Sequence, residues 1–313
     1  MFNSTHTLVG LALARTGLDR WAPHATWAAV IAANLPDIDI LAQFAGTTTY
    51  LDYHRGITHT IVETPLLCLA FADVMFAVSR GKAFWKYFLI AIIAMSTHLL
   101  LDWTNTYGIR PFLPLNGQWY YGDTLFIIDP YLDGILLAGI IVTFKMRRQK
   151  QLIAAATLIV ALAYIAGMIH LRDIARRQFA AYIASTPDIV RSAVAPEFGD
   201  PFHWIGFIET AADVSRFHID TRTASVRAED RLANAPPSQV TQAAESTYTA
   251  AVFRGFARFP VTRVERIPSG YRVLLIDFRF FRPPAQTALS AEILLDKNLA
   301  VTAESMSFVR PLD

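Results

Sequence analysis

Residues 152–169 read LIAAATLIVALAYIAGMI and carry no charged side chain. An α-helix needs about 20 mostly apolar residues to cross the roughly 30 Å hydrocarbon core of a bilayer. Three more apolar runs precede this one, at 61–79, 84–103 and 127–144. One such run alone would also suit a buried helix in a large soluble protein. Four runs in one half of the chain instead predict an α-helical integral membrane domain.

The amino-acid composition also separates this chain from ordinary cytosolic enzymes. Of its 313 residues, 53% are hydrophobic and 17% are charged, and the mean hydropathy is +0.33. In soluble globular proteins about a quarter of the residues are charged. A net charge of +2 argues against a nucleic-acid partner. Cys68 is the one cysteine, so a metal site would have to use histidines and carboxylates.

Most charged residues follow residue 170. Residues 171–313 carry 17 of the 28 basic and 16 of the 26 acidic side chains, and a segment of this length can bury its own core. We therefore expect a helical membrane domain over 1–170, followed by an α+β water-facing domain over 171–313. The second domain contains no catalytic constellation. A substrate-access role, a partner-binding role and a plain structural appendage remain open for it.

Sequence patterns within the second domain predict its elements. We expect an amphipathic helix over 171–195 that leaves the membrane, and a later helix that begins after Ser238 as its cap and ends near Phe256. Short runs rich in β-branched and aromatic residues predict strands, namely 203–209, 213–220, 261–266, 271–281, 288–295 and 300–309.

Basic residues between the apolar runs predict the orientation in the membrane. The loop 80–86 holds an arginine and two lysines, and the loop 145–150 reads KMRRQK. Cytoplasmic loops carry an excess of Lys and Arg, so both loops are expected in the cytoplasm. Segments 34–60 and 104–126, and everything after residue 170, are then expected on the extracytoplasmic side.

The N-terminal apolar stretches are shorter than the four long runs. Residues 5–16 and 21–34 each fall short of the roughly 20 residues that a span needs. We expect a thin hairpin or a half-inserted pair of helices, and whether this pair spans the membrane stays open.

Histidines and aspartates recur in the segments predicted to be extracytoplasmic. They comprise an early His6, the sequences NLPDID (34–39) and HRGITH (54–59), and the pair His98 and Asp102. Ionisable side chains are costly inside a bilayer and are functional candidates by default. All of these motifs fall at one predicted face of the membrane. Imidazole and carboxylate groups are suitable ligands for a divalent metal.

Each motif has a simpler explanation when it stands alone. A Pro-Asp-x-Asp turn often ends a helix, and a polar surface loop would tolerate HRGITH, in which Gly56 is expected to permit a tight bend. His98 and Asp102 lie four residues apart on one helical face, as a structural hydrogen-bonded pair would also do. In an extended turn Asp37 and Asp39 would point the same way. The combination favours metal binding, with enough ligands for one or two ions.

These motifs together resemble a known family. The sequences NLPDID (34–39), HRGITHT (54–60) and HLLLD (98–102), with the early His6, are similar to the bacterial membrane-bound metal-dependent hydrolases of the YdjM-like family, a domain of unknown function. The likeness covers about residues 1–170. It implies an inner-membrane location and a metal-dependent hydrolase activity without a demonstrated substrate.

The resemblance also implies a ligand set. The residues on the family pattern are His6, Asp37, His54, His59, His98 and Asp102. The His-x-x-x-Asp helix is in addition loosely similar to zinc-dependent phospholipase C. Those enzymes have further C-terminal histidine ligands without a counterpart here, because His203 and His218 are isolated. One or two divalent ions, with zinc favoured, are therefore expected.

We thus expect a membrane-bound hydrolase in which metal-activated water attacks a phosphoester or ester bond of a lipid or lipid-linked substrate. Asp37, Asp39 or Asp102 would orient the water or accept its proton. The alternative is a non-enzymatic membrane protein with a structural metal and a C-terminal partner-binding domain. A metal or proton transporter fits less well, because no chain of carboxylates crosses the apolar runs. Asp129 precedes Pro130 and is expected to cap a helix rather than to bind metal.

Overall fold

The computed structural model of the protein describes residues 1–282, 286–287, 289–308 and 310–311. The chain forms two compact units. The first comprises Met1–Ile40, Arg55–Ala175 and Ala195–Trp204, and the second comprises Leu41–His54, Arg176–Val194 and Ile205–Asp313.

The N-terminal half of the chain is helical. Its helices are α1 Asn3–Arg15, α2 Ala25–Asn34, α3 Thr47–Tyr53, α4 Glu63–Val78, α5 Phe84–Trp103, α6 Pro130–Lys145 and α7 Lys150–Ile183. A 3₁₀ helix, Leu35–Ala45, continues α2. The apolar run at 152–170 and the helix expected after it form one continuous helix, α7. This helix ends before Pro187, because a proline disfavours helical backbone at the residue before it.

Several helical segments are long and apolar enough to cross a membrane. Among the described residues these are Ala25–Ala45, Phe84–Trp103 and Arg147–Ile183. Thr47–His59 and Glu63–Val78 qualify together, but they meet at a bend of 83°, so this pair is a broken span or a re-entrant loop. The predicted helical region is confirmed, and it contains helices that are long and apolar enough to cross a membrane. Three details differ from the expectation. The second N-terminal stretch gains length from its 3₁₀ extension. The runs 61–79 and 127–144 form α4 and α6, which have only 16 residues each, and neither qualifies as a span on its own among the described residues.

Small side chains let the first helices approach closely. The buried face of α2 is made of alanines, namely Ala25, Ala28, Ala29, Ala32 and Ala33. A Cβ atom at Gly10 of α1 would lie 2.9 Å from the Ala29 carbonyl oxygen, closer than such atoms pack. Glycine at this position therefore permits the contact between α1 and α2. Helix α5 packs against both α2 and α4 and supplies the centre of this core.

The outer faces of the same helices are apolar. Trp27 of α2, Val74 of α4, Trp85 of α5 and Leu162 of α7 are all at least 60% exposed. Monomeric soluble proteins rarely expose apolar surface on this scale. The exposed side chains suit a lipid environment, which agrees with the span assignment.

Asp129 begins α6 in the way that its position before a proline predicts. Its carboxylate accepts the backbone N–H groups of Tyr131 and Leu132 at 3.1 and 2.9 Å. The Tyr164 hydroxyl donates to the same carboxylate at 2.9 Å. The capping role predicted for Asp129 is confirmed.

Two four-stranded antiparallel sheets form most of the C-terminal half. The first has the order β1 Arg191–Glu197, β2 Asp200–Glu209, β3 Asp213–Asp220 and β4 Ser225–Ala233. The second contains β5 Pro260–Ile267, β6 Gly270–Asp277, β9 Ser290–Asp296 and β10 Val301–Ser307, in the spatial order β10-β9-β6-β5. Short strands β7 Phe281–Arg282, β8 Gln286–Thr287 and β11 Arg310–Pro311 form a third sheet. Helices α8 Gln239–Glu245 and α9 Tyr248–Phe256 lie between β4 and β5 in sequence.

The α+β class predicted for this half is confirmed, but several of its elements differ from the expectation. Residues 191–195 begin strand β1, so the helix expected over 171–195 is wrong beyond Ile183. Strand β4 was not predicted, because it is a largely exposed edge strand without an alternating apolar pattern. Edge strands carry fewer apolar side chains, which weakens their sequence signal.

The helix expected from Ser238 to Phe256 is divided in two. Ser238 caps α8, as predicted, by accepting the Thr241 N–H at 3.2 Å. Thr247 then caps α9 by accepting the Ala250 N–H at 3.2 Å, because its backbone is extended rather than helical. The four expected strands of the second sheet are present, but the one expected over 271–281 ends at Asp277 and is followed by a 3₁₀ turn, Phe278–Phe280. Ala288 and Val309, the end residues of two other expected strands, lie outside the described residues.

Candidate metal centre

His98 and Asp102 lie one turn apart on α5 and are fully buried. The His98 Nδ1 atom is 2.7 Å from the carbonyl oxygen of Ala33. A carbonyl only accepts hydrogen bonds, so Nδ1 is the donor of this contact and Nε2 is the nitrogen available to a metal. This Nε2 atom is 3.6 Å from Asp102 Oδ2. The helix therefore presents one nitrogen and one oxygen to a common point.

His59 reaches the same point from a 3₁₀ turn, Ile57–His59. Its Nε2 atom is 3.2 Å from His98 Nε2 and 3.4 Å from Asp102 Oδ2. Its Nδ1 atom is 3.0 Å from the Thr58 hydroxyl, which helps to fix the ring orientation. The bend expected at Gly56 is present, and the preceding Arg55 adopts a left-handed backbone, with φ 51°.

Asp37 and Asp39 diverge, contrary to the expectation of an extended turn. They lie in the 3₁₀ helix Leu35–Ala45, which has three residues per turn, so residues i and i+2 point in different directions. Asp37 Oδ1 is 3.4 Å from His59 Nε2 and 3.6 Å from His98 Nε2. Asp39 instead accepts the Arg55 backbone N–H at 2.8 Å and lies 3.6 Å from His59 Nδ1. The two carboxylates thus approach opposite nitrogens of His59.

Asp37, His59, His98 and Asp102 form a group whose ligand atoms all lie within 4.8 Å of one another. Five separations within this group, between His59 Nε2, His98 Nε2 and the facing carboxylate oxygens, run from 3.2 to 3.6 Å. A tetrahedral ion with bonds of about 2.0–2.2 Å holds its ligands about 3.3–3.6 Å apart. The donor set therefore matches the size of a site for one divalent ion.

His6 of α1 lies beside this group. Its ring stacks on His98 with the centroids 3.7 Å apart, and its Nε2 is 3.4 Å from Asp102 Oδ1, an oxygen that the α-amino group of Met1 also contacts. Both ring nitrogens of His6 are buried and have no hydrogen-bond partner among the described residues. Asp102 therefore turns Oδ2 toward His59 and His98 and turns Oδ1 toward His6 and the α-amino group of Met1.

The protonation state of His6 also suits metal binding. Burial lowers the pKa of His6 to about 4, because the imidazolium loses its hydration. The ring is then neutral at neutral pH, and neutral imidazole is the form that binds metals.

Arg55 is a member of the centre that sequence reasoning missed. The residue is 2% exposed, and its Nη2 atom lies 3.2 Å from Asp102 Oδ2. Its Nη1 atom donates to Asn105 Oδ1 and to the Gly108 carbonyl oxygen, both at 3.0 Å. A buried charge needs such partners. Its position inside the HRGITH motif was the available signal.

Besides His6, His54 is a predicted ligand that the group of four does not contain. It follows α3 and is half-buried, with its ring 4.8 Å from the Tyr50 ring. Its role as a ligand stays a prediction.

The helical half of the chain matches a known protein family. The family model described as YdjM inner membrane protein matches residues 1–174. The chain belongs to this family. The family likeness expected from the motifs is thereby confirmed, and the inner membrane is the location that the family description gives. The similarity to zinc-dependent phospholipase C and the side of the membrane that the C-terminal half faces stay predictions.

One curated relative adds to the family match. The chain is 25% identical over 152 residues to the uncharacterized protein YfhP of Bacillus subtilis (strain 168). The matched region is 46% of this chain and 46% of the relative, so the chain spans about half the length of that protein. No solved structure matches the chain.

Proposed function

We propose that this protein is a membrane-bound metal-dependent hydrolase that acts on phosphoester or ester bonds of lipid or lipid-linked substrates. The observation that carries the proposal is the convergence of Asp37, His59, His98 and Asp102 at separations that suit a single divalent ion. His6, on the other oxygen of Asp102, supports a second ion. The proposed ligands are thus these five residues, with His54 as a further candidate.

The charge of the centre supports a cation there. Three carboxylates, those of Asp37, Asp39 and Asp102, against the guanidinium of Arg55 and the α-amino group of Met1, leave a net charge of −3 + 1 + 1 = −1. Buried charge is costly unless it is compensated. One divalent ion would change the charge from −1 to +1, and a positive centre suits an anionic phosphoester better than a neutral ester.

The three candidate catalytic aspartates take different roles in this proposal. A divalent ion, with zinc as the first candidate, would supply Lewis acidity and lower the pKa of water. Asp37 Oδ2 is buried without a hydrogen-bond partner among the described residues, and Asp37 also lines a cavity of about 370 Å³. We therefore assign proton acceptance to Asp37. Asp102 positions the histidines, and Asp39 orients His59 from its Nδ1 side.

A structural metal in a non-enzymatic membrane protein is the second candidate. Four protein donors complete a tetrahedral shell, as in structural zinc sites, whereas catalytic zinc sites use three and keep one position open. The proposed hydrolase therefore needs either an ion with more than four ligands or the second ion beside His6. The cavity at Asp37 favours access from outside the protein.

Hydrolysis by the full chain tests the proposal. The purified protein in lipid nanodiscs would be offered phospholipids and small phosphate and carboxylate esters, before and after metal removal by a chelator. We expect hydrolysis that disappears with the metal, returns when zinc is added, and is absent in Asp37→Asn. Full metal content without hydrolysis of any substrate in the panel would favour the structural ion.

A further inference from the structure

A second, larger cavity lies among exposed apolar side chains of the helical unit. It is a groove of about 610 Å³ between α2 and α4. Trp27, Ile31 and Leu35 form one wall at intervals of four residues, which places them on one helical face. Leu67, Val74 and further residues of α4 form the other wall, and His24 is the one ionisable residue among the described residues that line the groove.

The groove leads toward the metal centre. Ile31 and Leu35 also line the smaller cavity of about 370 Å³ that contains Asp37. Helix α2 has 10 residues and is therefore about 15 Å long. A molecule extended along this helix would place one end beside Asp37 and leave the rest among apolar side chains.

We infer that this groove binds one acyl chain of a bilayer phospholipid, with the phosphate end of that lipid at Asp37. Both walls belong to helical segments that are apolar enough to lie in a membrane, so hydrocarbon rather than water surrounds the groove. The rim is exposed at Trp27 and Val74, and the floor is buried at Phe71. The substrate then enters sideways from the bilayer. The inference rests on the proposed hydrolase for the fate of the lipid, but the groove can be tested without hydrolysis.

The test uses a phospholipid with a photoactivatable diazirine at the end of one acyl chain. The full chain would be placed in nanodiscs of phosphatidylethanolamine and phosphatidylglycerol that contain this probe, irradiated, and mapped by mass spectrometry. We expect adducts to concentrate on the groove residues relative to Leu89 of α5 and Leu162 of α7, which are exposed apolar positions elsewhere.

Two matched tryptophan variants of α4 sharpen this test. Ala70→Trp fills the groove and should lower groove adducts about tenfold, the loss expected when a few methylene groups are excluded from an apolar site. Leu66→Trp places the same ring on an exposed position of α4 that does not line the groove and should leave the adducts unchanged. Adducts spread evenly over all exposed apolar positions, or unaffected by Ala70→Trp, would overturn the inference.

Further outcomes separate the groove from the hydrolase. Groove adducts that persist in metal-free protein would uphold lipid binding even if hydrolysis is never found. If hydrolysis is found, Ala70→Trp should lower the ratio of long-chain to short-chain substrate turnover, and an unchanged ratio would overturn the substrate role. Cross-links between two protein copies at the groove in place of lipid adducts would assign it to a second chain and overturn the inference as well.

Discussion

At the scale of single residues, Asp102 connects the parts of the centre. Its Oδ2 atom faces His59, His98 and Arg55, and its Oδ1 atom faces His6. The pairing of His98 with Asp102 could be predicted, because a helix fixes the geometry of residues four apart. The buried guanidinium could not, since a loop residue with φ 51° sends its side chain in a direction that sequence spacing does not encode.

Arg55→Lys should weaken metal binding without abolishing it. Lysine keeps the positive charge but cannot reach Asp102, Asn105 and Gly108 together, as the forked guanidinium does. Loss of such an orienting partner typically costs about 10–100-fold in metal affinity, which a chelator-competition titration would measure. Arg110→Lys, a matched change outside the centre, should leave the affinity unchanged. Equal loss in both variants would show a general effect of removing an arginine.

His6 should make the metal-free protein less stable in mild acid. Its pKa is 6.5 in an unfolded chain and about 4 in the folded protein, so the unfolded state binds more protons between these values. The free energy of unfolding contributed by His6 is therefore full above pH 6.5 and declines as the pH falls toward 4. Thermal unfolding of the wild type and of His6→Gln, both made metal-free with a chelator, would measure this contribution across the same pH range. If the free energy of unfolding of the two proteins changed identically with pH, the pH effect would not come from His6.

At the scale of elements, long apolar runs were the most predictable feature. The helices over 84–103 and 152–169 follow directly from runs of apolar residues, and α5 begins and ends where the sequence indicated. Elements that depend on their partners were harder to predict. Strand β4 lacks an apolar pattern, and the separation of α8 from α9 depends on the backbone conformation of Thr247.

The contact between α1 and α2 gives a test at this scale. Gly10→Ala would place a Cβ atom 2.9 Å from the Ala29 carbonyl oxygen, and overpacking of this kind typically costs about 1–3 kcal/mol. Gly167→Ala makes the same chemical change in α7, where nothing lies within 4 Å of the new atom, and should be neutral or stabilising by up to about 1 kcal/mol. Thermal unfolding in detergent compares the two. Equal stability would contradict the close packing of α1 on α2.

At the scale of the whole molecule, family membership and the apolar helices agree on a membrane protein with a helical first half. The division into helices and sheets could be predicted, because hydropathy and charge change together near residue 170. The number of spans could not be fixed by run length alone, since a 3₁₀ extension lengthens one helix and an 83° bend interrupts another.

Orientation in the membrane is the prediction at this scale. The basic loop 145–150 predicts that a reporter fused at Arg148 lies in the cytoplasm. Helix α7 follows this loop, so a reporter fused at Asp313, which is outside the described residues, should lie on the other side. Paired phosphatase and fluorescent-protein fusions would measure both positions. Both reporters on one side would contradict α7 as a span, and reversed positions would move the metal centre to the cytoplasmic face.

The metal content of the purified full chain tests the central claim most directly. Elemental analysis should find at least one divalent ion per wild-type chain and a loss of metal in His98→Ala and in Asp102→Ala, because each deletes a proposed ligand. His24→Ala, a histidine outside the centre, and Met95→Ala, a buried residue of the same helix, should keep the wild-type ratio. Retention of the full metal ratio by His98→Ala, or equal loss in Met95→Ala, would contradict a metal held by these residues.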